Sequence, residues 1–399
     1  MLGEETLPIG FLLKKKYEIT DILDKGNIGI SYIASDKNSG IPVHIREFYP
    51  KGWCTRDDKN HSVKLADKSF EEKFKNAAAV FANEAKIITI LSEDGVVVKV
   101  LDYFLENHTA YLVTEYVDGK PIVSKFEHLS KPYKLDEAIN ILKTISEPLY
   151  SLHEIGLYHC NISLDNIIID KNKNVRMVDI GNARNYIVTI NKSFDNELSK
   201  AYAPIEMFDP DKELSPATDV YMLGAVLYEL LSCKCPPEAK KRIESDSLVK
   251  LKDIDDDIKE AVSDVVSKAL AIEAKDRYNT VPEFLNALKK AKEAKELEPF
   301  ISFLKDGKEK KWKIAKNQAV KVGRSPDDCE IEISGEDISR IHCEICYNSK
   351  NKVFVVTDLS SNGTYTKDEI INKNQEKEVE PGQIIYLATK DYVLTLGVE

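Results

Sequence analysis

The chain has 399 residues, of which 43% are hydrophobic and 31% charged; this is ordinary for soluble globular proteins and excludes a collagen-like or largely disordered chain. The length accommodates roughly two or three domains, each large enough to bury a core without disulfides. The 67 acidic side chains outnumber the 56 lysines and arginines, and the formal net charge of −11 argues against nonspecific binding to nucleic acid or to an anionic membrane.

The sequence shows neither a membrane segment nor a disulfide framework. No apolar run approaches the ~20 residues that span a bilayer, and the acidic start of the chain is unlike a secretion signal. The seven cysteines are odd in number and irregularly spaced. Cys343 and Cys346 have zinc-pair spacing but no matching second pair, so buried free thiols are the favoured interpretation. We expect a cytoplasmic protein.

Hydrophobic periodicity divides the chain near residue 298. Residues 17–117 have the pattern of short strands around one amphipathic helix at Phe70–Ser92. Residues 135–290 are mostly helical, and a closing helix over Ala287–Glu298 runs into a linker. The clearest helical periods lie at Leu135–Ile155, Ala217–Ser232 and Ile254–Ala271. Short strands with glycine turns then continue to the end, as in an all-β sandwich.

The N-terminal three-quarters carries an ordered series of motifs. In chain order, they are Leu23–Tyr32, Val43–Phe48, Glu84, Thr114–Val117, His159–Asn166, Asp179–Gly181, Ala203–Glu206, Asp219 and Arg277. This series resembles a bacterial Ser/Thr protein kinase domain, from its glycine-rich loop through the hinge and catalytic loop to Asp-Phe-Gly and Ala-Pro-Glu. The resemblance implies a fold that binds ATP and Mg²⁺ and transfers phosphate to a hydroxyl group.

Several chemical positions depart from that family. The proton-accepting aspartate is Asn161, whose amide cannot serve as the base, and the neighbouring lysine is Ser163. The lysine that contacts ATP is Arg46, the first loop glycine is Asp24, and His44 should narrow or fill the adenine pocket. We therefore expect a pseudokinase that is not an enzyme, with no catalytic residue and with Arg46, Asn161 and Ser163 as degenerate positions.

Other positions of the family's nucleotide pocket are retained. By the resemblance, the vestigial pocket comprises Gly26, Gly29, His44, Arg46, Glu84, Glu115, Val117, Asn166 and Asp179. Arg46 with Glu84 is equally interpretable as an ion pair that braces the lobe. Asn166 and Asp179 leave weak Mg²⁺ binding open. Otherwise we expect no metal site and no bound cofactor, with ATP and Mg²⁺ as the open alternative.

Three further motifs follow near the C-terminus: Gly323-Arg324, Ser339-Arg340-Ile341-His342 and Ser361-Asn362-Gly363. Together they resemble a forkhead-associated (FHA) domain, a reader of phosphothreonine. Forked arginine and hydroxyl donors suit a phosphate, which carries close to two negative charges. The resemblance implies phosphate contacts from Arg324, Ser339, Arg340 and Ser361, and a peptide contact from Asn362. It assigns structural roles to Gly323, His342 and Gly363.

The sequence thus predicts an α+β bilobal protein-kinase-like fold followed by an all-β FHA sandwich. We place the pseudokinase domain at 1–297, with lobes at about 10–117 and 118–297, and the FHA domain at 298–399. The favoured function is a signalling scaffold or adaptor that binds a threonine-phosphorylated protein. This partner is either a bacterial Ser/Thr kinase or a kinase substrate. A nucleotide-gated switch and a weak atypical Ser/Thr kinase stay open as alternatives.

Overall fold

The structure is a computed structural model that forms two compact units, Met1–Ala294 and Lys295–Glu399. It describes residues 5–26, 28–92, 95–123, 129–178, 200–209, 211–295, 298–305, 308–367 and 369–399. Two predicted pocket groups, Asp179 and the side chain of Glu84, lie outside these described parts.

The first unit begins with a lobe built on an antiparallel sheet. Its strands are β1 (Leu12–Leu13), β2 (Tyr17–Lys25), β3 (Gly29–Asp36), β4 (Pro42–Phe48), the hairpin β5 (Cys54–Arg56) and β6 (Val63–Leu65), and, after helix α1 (Glu71–Leu91), β7 (Val100–Glu106) and β8 (Thr109–Glu115). The main sheet has the order β1-β2-β3-β4-β8-β7. Helix α1 packs against it through Phe81, whose ring centroid lies 5.6 Å from that of Phe48. The predicted helix and strands are present, with ends shifted by a few residues.

The β5–β6 hairpin was not predicted, and a buried ion pair attaches it to the sheet. Arg56 Nη2 lies 2.6 Å from Glu47 Oε2, and both side chains are buried. The hydroxyls of Tyr32 and Tyr111 each donate to Glu47 at 2.8 Å. A charged pair this deeply buried requires such additional hydrogen bonds to offset its desolvation. The hairpin therefore depends on partners from three strands, of which β8 lies far away in the sequence.

The second lobe of this unit is mainly helical. Its elements are β9 (Gly119–Pro121), α2 (Leu135–Glu154), β10 (Ile167–Asp170), β11 (Val175–Met177), α3 (Pro216–Ser232), α4 (Ala239–Arg242), α5 (Leu251–Ile254), α6 (Glu260–Ala269) and α7 (Val281–Glu293). Every residue of α3 from Ala217 to Leu231 is buried, as expected for a helix that is apolar on all sides. Helix α3 is thus the centre of the lobe.

Two helix boundaries differ from the prediction. The segment predicted as one helix, Ile254–Ala271, is helical mainly over α6; its first residue ends α5, and Asp255 then adopts extended backbone angles. The closing helix, α7, begins at Val281, before the start at Ala287 that the alanine-rich stretch predicted. The side chain of Thr280 caps it by accepting a hydrogen bond from Glu283 N at 3.3 Å. It ends at Glu293, before the predicted end.

The second unit is a sandwich of two sheets. Its strands are β12 (Pro299–Lys305), β13 (Lys308–Lys313), β14 (Ala319–Gly323), β15 (Ile331–Glu332), β16 (Cys343–Asn348), β17 (Val353–Asp358), β18 (Thr364–Tyr365), β19 (Ile370–Ile371), β20 (Glu376–Val379), β21 (Ile384–Leu387) and β22 (Val393–Val398). One sheet has the order β13-β12-β22-β21-β18-β19 and the other β15-β14-β16-β17-β20. Fully buried residues such as Ile301, Phe354 and Leu394 fill the core. The predicted all-β sandwich is confirmed.

A buried ion pair links the loop before α3 to the end of the helical lobe. Arg277 binds Glu206 through two hydrogen bonds of 2.6 and 3.0 Å, and both side chains are almost fully buried. Arg277 also donates to the carbonyls of Ala217 and Ile272. The pair is therefore satisfied by its own hydrogen bonds, by nearby backbone and by the Thr218 hydroxyl, which donates to Glu206 at 3.0 Å.

We expect Arg277→Ala to lower the free energy of unfolding of the first unit by about 3–5 kcal/mol, because it leaves the Glu206 carboxylate buried without its cation. Urea unfolding followed by circular dichroism measures the change. The matched control is Lys212→Ala, which removes the exposed ion pair with Glu273 and should cost less than about 1 kcal/mol. Equal effects of the two variants would contradict the assignment.

Candidate functional site

A cavity of about 460 Å³ lies between the two lobes of the first unit. Both the sheet and the loop that follows α2 line it. Six residues that the sequence analysis singled out are among the lining residues: Asp24, His44, Arg46, Glu115, Val117 and Asn166. Gly26 and Gly29 do not line it. Gly29 has a structural role, since a Cβ atom there would lie 2.6 Å from the carbonyl oxygen of Glu47.

His44 lines this cavity without filling it, and the expectation that it narrows the pocket stays a prediction. The residue lies directly opposite Thr114 in the β4–β8 pairing. Its Nδ1 atom is 3.2 Å from the Thr114 hydroxyl. This cross-strand hydrogen bond holds the imidazole against β8, and the cavity remains open beside it. Sequence alone could not identify this partner because the register of the two strands was unknown.

Arg46 keeps a positive charge in the cavity. Its guanidinium carbon lies 5.7 Å from the ring centroid of Phe81 on α1, which places the cation over an aromatic face. The predicted pairing with Glu84 involves a side chain outside the described parts of the chain. Arg46 is nevertheless positioned to meet an anionic group in the cavity.

The loop His159–Asn166 is held in place by one buried carboxylate. Asp219 on α3 accepts hydrogen bonds from the backbone N–H groups of His159 and Cys160, both at 2.9 Å, and its Oδ2 lies 2.7 Å from His153 Nε2. Burial opposes ionisation of Asp219, but the hydrogen bonds from His153 and Cys160 outweigh it and lower its pKa. Sequence analysis identified Asp219 and missed its partner His153, which nothing in the motif indicates.

This loop places Asn161, Ser163 and Asn166 close together. Asn166 donates from Nδ2 to the carbonyl of Asn161 at 3.2 Å, which leaves its Oδ1 atom available as a ligand. The Ser163 hydroxyl donates to Asp165, the single carboxylate in this segment of sequence. Asp165 also lines the cavity, and the sequence analysis did not single it out.

In the second unit, three loops meet at the edge of the sandwich. Arg324 N donates to the carbonyl of Ser339 at 3.0 Å, which joins the first loop to the second. Ser361 N donates to the Ser339 hydroxyl at 3.0 Å, which joins the third loop to the second. Ser325 N donates to the carbonyl of Arg340 at 3.2 Å. The three motifs predicted to cooperate therefore lie in direct contact.

One buried histidine binds two of these loops together. His342 Nδ1 accepts a hydrogen bond from Ser339 N at 3.2 Å, and Nε2 lies 3.1 Å from the carbonyl of Gly363. A neutral imidazole with its proton on Nε2 satisfies both contacts. Burial lowers the pKa of His342, although the hydrogen bond to Gly363 and the charge of Asp358 act in the opposite direction. The geometry supports the structural role expected for this residue.

The two glycines of these loops are required by geometry. A Cβ atom on Gly323 would lie 2.3 Å from the carbonyl oxygen of Arg340, so a larger residue would separate the loops. Gly363 has a φ of 87°, in the left-handed region that residues with a Cβ atom rarely adopt.

The residues predicted to contact the ligand differ in the hydrogen bonds and ion pairs that they form within the protein. Arg324 is exposed, and no acidic side chain in the described parts of the chain forms an ion pair with it. Arg340, in contrast, forms an ion pair of 2.7 Å with Asp328. Asn362, expected to bind a peptide backbone, donates from Nδ2 to the carbonyl of Asp337 at 2.8 Å. The last two residues are thus bound within the protein.

Cys343 and Cys346 point to opposite faces of β16. Cys343 is fully buried in the core, while Cys346 is partly exposed. Burial raises the pKa of the Cys343 thiol. This alternation follows from the strand's two-residue period and separates the two sulfur atoms.

Comparisons with known proteins agree with both sets of motifs. The family model described as protein kinase domain matches residues 51–291, and the model described as FHA domain matches residues 320–388. The first match covers more than half of the chain, so the chain belongs to the protein kinase domain family. The match begins after Asp24, His44 and Arg46, three of the atypical positions.

Several of the similar proteins come from bacteria. The probable serine/threonine-protein kinase CPE1738 of Clostridium perfringens is 26% identical over 299 residues, covering 71% of this chain and 39% of the relative. The probable serine/threonine-protein kinase PknB of Lactococcus lactis is 22% identical and is covered to 42%. This chain therefore spans about two fifths of the length of these relatives.

Solved structures support the fold. The apo form of PpkA-294 is 30% identical and superposes with a TM-score of 0.61, covering 71% of this chain and 100% of that chain. A point mutant of the PknI kinase domain of Mycobacterium tuberculosis is 18% identical with a TM-score of 0.53 and shows the fold alone. Among the described residues, no helix has the length and apolar character needed to cross a membrane.

The prediction that the chain is not an enzyme is wrong. The relatives are named Ser/Thr protein kinases, and the kinase family model covers the catalytic loop. The prediction gave too much weight to Asn161. Phosphoryl transfer depends mainly on positioning and electrostatic stabilisation, and the loss of one proton acceptor does not remove these. The cavity also remains open beside His44.

We expect the second unit to lose stability as the pH falls, because folding holds the pKa of His342 below its usual value of 6.5. The neutral imidazole stabilises the fold fully above pH 6.5, and this stabilisation decreases as the pH falls toward the pKa of the folded state. Hydrogen exchange of peptides from residues 299–399 measures it. His342 is the single histidine in that segment of sequence.

In His342→Gln this pH dependence should disappear, although the unit becomes less stable at every pH. The exposed His108, in the first unit, provides the control variant His108→Asn, which should leave the pH profile unchanged. An unaltered pH profile in His342→Gln would show that the imidazole is not the titrating group.

Proposed function

We propose that this chain is a bacterial Ser/Thr protein kinase that binds threonine-phosphorylated proteins through its own FHA domain. The observation that carries the binding half of this proposal is the junction of three loops around Ser339, with the exposed Arg324 beside it. Family membership and the open cavity support the kinase half. The partner is either a substrate of this kinase or another protein of the same signalling system.

The loop junction suits a phosphate ester. Arg324 offers a planar set of donors without a competing ion pair in the described parts of the chain. Ser339 accepts a hydrogen bond from Ser361 N, which leaves its own O–H free to donate. The Ser361 side chain is exposed and adds a second hydroxyl. These donors match the acceptor oxygens of a phosphate better than they match a neutral side chain.

The cavity of the first unit suits a nucleoside triphosphate. Arg46 supplies a cation for phosphate groups, and Asn166 has Oδ1 available for a cation such as Mg²⁺. Glu115, at the end of β8, is held by the backbone N–H of Lys99 at 3.0 Å and by Arg176. This anchoring fixes the segment 115–117, which in the resembling family binds the adenine ring. ATP with Mg²⁺ supplies the phosphoryl group for transfer in that family.

Further properties support a cytoplasmic signalling role. None of the seven cysteines, all of which lie in the described parts of the chain, forms a disulfide, which fits a reducing compartment. The net charge of −11 makes nucleic acid an unfavourable partner.

The full chain should bind phosphothreonine peptides with micromolar affinity, and Arg324→Ala should weaken this binding by more than about tenfold because it removes charge-assisted hydrogen bonds to the phosphate. Calorimetry with a randomised phosphothreonine peptide library measures it. Lys321→Ala removes an exposed positive charge from the neighbouring strand and should leave affinity unchanged. Equal binding of phosphorylated and unphosphorylated peptides would rule out the proposed recognition.

ATP with Mg²⁺ should bind the full chain, and Arg46→Ala should weaken binding about tenfold, since a partly buried cation that hydrogen-bonds phosphates is worth ~1.5 kcal/mol or more. Phosphate transfer to protein substrates should require Asp179 and disappear in Asp179→Ala. The control Lys171→Ala removes an exposed cation paired with Asp118 and should change neither quantity. Absence of detectable binding at millimolar nucleotide would exclude the kinase function.

A further inference from the structure

One residue predicted to bind phosphate already binds an anion of the protein itself. Arg340 Nη2 donates to Asp328 Oδ2 at 2.7 Å, and the Ser325 hydroxyl donates to the same oxygen at 2.8 Å. A guanidinium and a hydroxyl therefore converge on one carboxylate oxygen. This arrangement resembles the way in which such donors would hold an oxygen of a phosphate group. The Asp328 side chain thus takes an acceptor position beside the proposed phosphate site.

Asp328 is fixed in this position by the backbone of its turn. Asp328 N and Cys329 N both donate to the carbonyl of Ser325, at 3.3 and 3.1 Å. Ser325 N in turn donates to the carbonyl of Arg340 at 3.2 Å. The turn that carries the carboxylate is therefore attached to the same segment that carries the guanidinium. Asp328 is a built part of the loop junction.

A competing anion can nevertheless easily break the ion pair between Arg340 and Asp328. The Arg340 side chain is 73% exposed and that of Asp328 35% exposed, so water and salt screen their attraction. The hydrogen bonds from Ser325 and Arg340 lower the pKa of Asp328, which keeps it charged at neutral pH. A ligand with a stronger negative charge can take over Arg340 without disturbing the buried core.

We propose that Asp328 determines the specificity of this site by competing for Arg340, so that a dianionic phosphate displaces it and a peptide carboxylate does not. This inference rests on the proposed phosphothreonine function. A phosphate has more charge and more acceptor oxygens than a carboxylate, so it gains more from Arg324 and Arg340 together. Replacing the Asp328 carboxylate at Arg340 with a carboxylate of the peptide gains little binding free energy. Asp328 repels any incoming anion, and the phosphate overcomes this repulsion through its stronger attraction to the two arginines.

The test compares three peptides of one sequence, with phosphothreonine, glutamate or threonine at the central position. Calorimetry on the full chain measures their affinity for wild type, Asp328→Asn and Asp327→Asn. Asp327 is the exposed neighbour, and its substitution changes the net charge of the chain by the same amount. Thermal unfolding establishes that each variant is folded.

We expect Asp328→Asn to bind the phosphothreonine peptide up to about fivefold more tightly and to gain measurable binding of the glutamate peptide. Asp327→Asn should behave like wild type. In an Arg340→Ala background, Asp328→Asn should lose its effect, because the two residues act through one contact.

Two outcomes overturn the inference on its own: equal behaviour of Asp328→Asn and Asp327→Asn, or weaker phosphopeptide binding in Asp328→Asn, which would make Asp328 a positioning residue for Arg340. If wild type binds no phosphopeptide, the proposed function fails and the inference fails with it. Binding that depends on Arg324 but not on Asp328 leaves the function standing and removes only the specificity role.

Discussion

The proposed phosphothreonine site depends on one buried imidazole. His342 contributes one ring nitrogen to the loop of Ser339 and the other to the loop of Gly363, so it sets the distance between them. Its own backbone N–H donates to Val322 at 2.8 Å, next to the loop that carries Arg324. One residue of the sandwich core therefore forms hydrogen bonds in or next to all three loops. Direct hydrogen bonds from Arg324 N and Ser361 N to Ser339 add to this arrangement.

Asp219 has a comparable role in the first unit. Its carboxylate is buried in the central helix α3 and holds the backbone of a loop that reaches the cavity. A buried charge with an unsatisfied oxygen would be costly, and here every contact comes from a backbone N–H or from His153. In both units, a buried polar group thus fixes the backbone of loops that carry the proposed functional residues. This division explains how residues such as Asn161 can vary while the loop geometry persists.

Much of this organisation could be predicted from sequence because the motifs combine residue type with order. Gly323 and His342 were assigned structural roles, and the close approach at Gly323 and the two hydrogen bonds of His342 support that interpretation. Fold classes could be predicted for the same reason, since strand and helix periods change near residue 298.

Contacts between segments far apart in sequence could not be predicted. The Glu47–Arg56 pair and the β5–β6 hairpin depend on tyrosines from two other strands. The hydrogen bond of His44 depends on strand register, and that of Arg340 depends on a turn conformation. The error about enzymatic activity has a related origin. Substitutions were interpreted one position at a time, whereas the cavity and the fixed loop are properties of the whole lobe.

The central claim is that the second unit recognises the phosphate group of phosphothreonine. The most direct measurement is ³¹P nuclear magnetic resonance of a phosphothreonine peptide titrated with the full chain. The account predicts a saturable shift of the phosphate resonance that disappears in Arg324→Ala. A resonance that stays unchanged at excess protein would contradict the account.

A resonance that does not respond to the protein, or that responds equally in Arg324→Ala, would contradict phosphate recognition by the second unit.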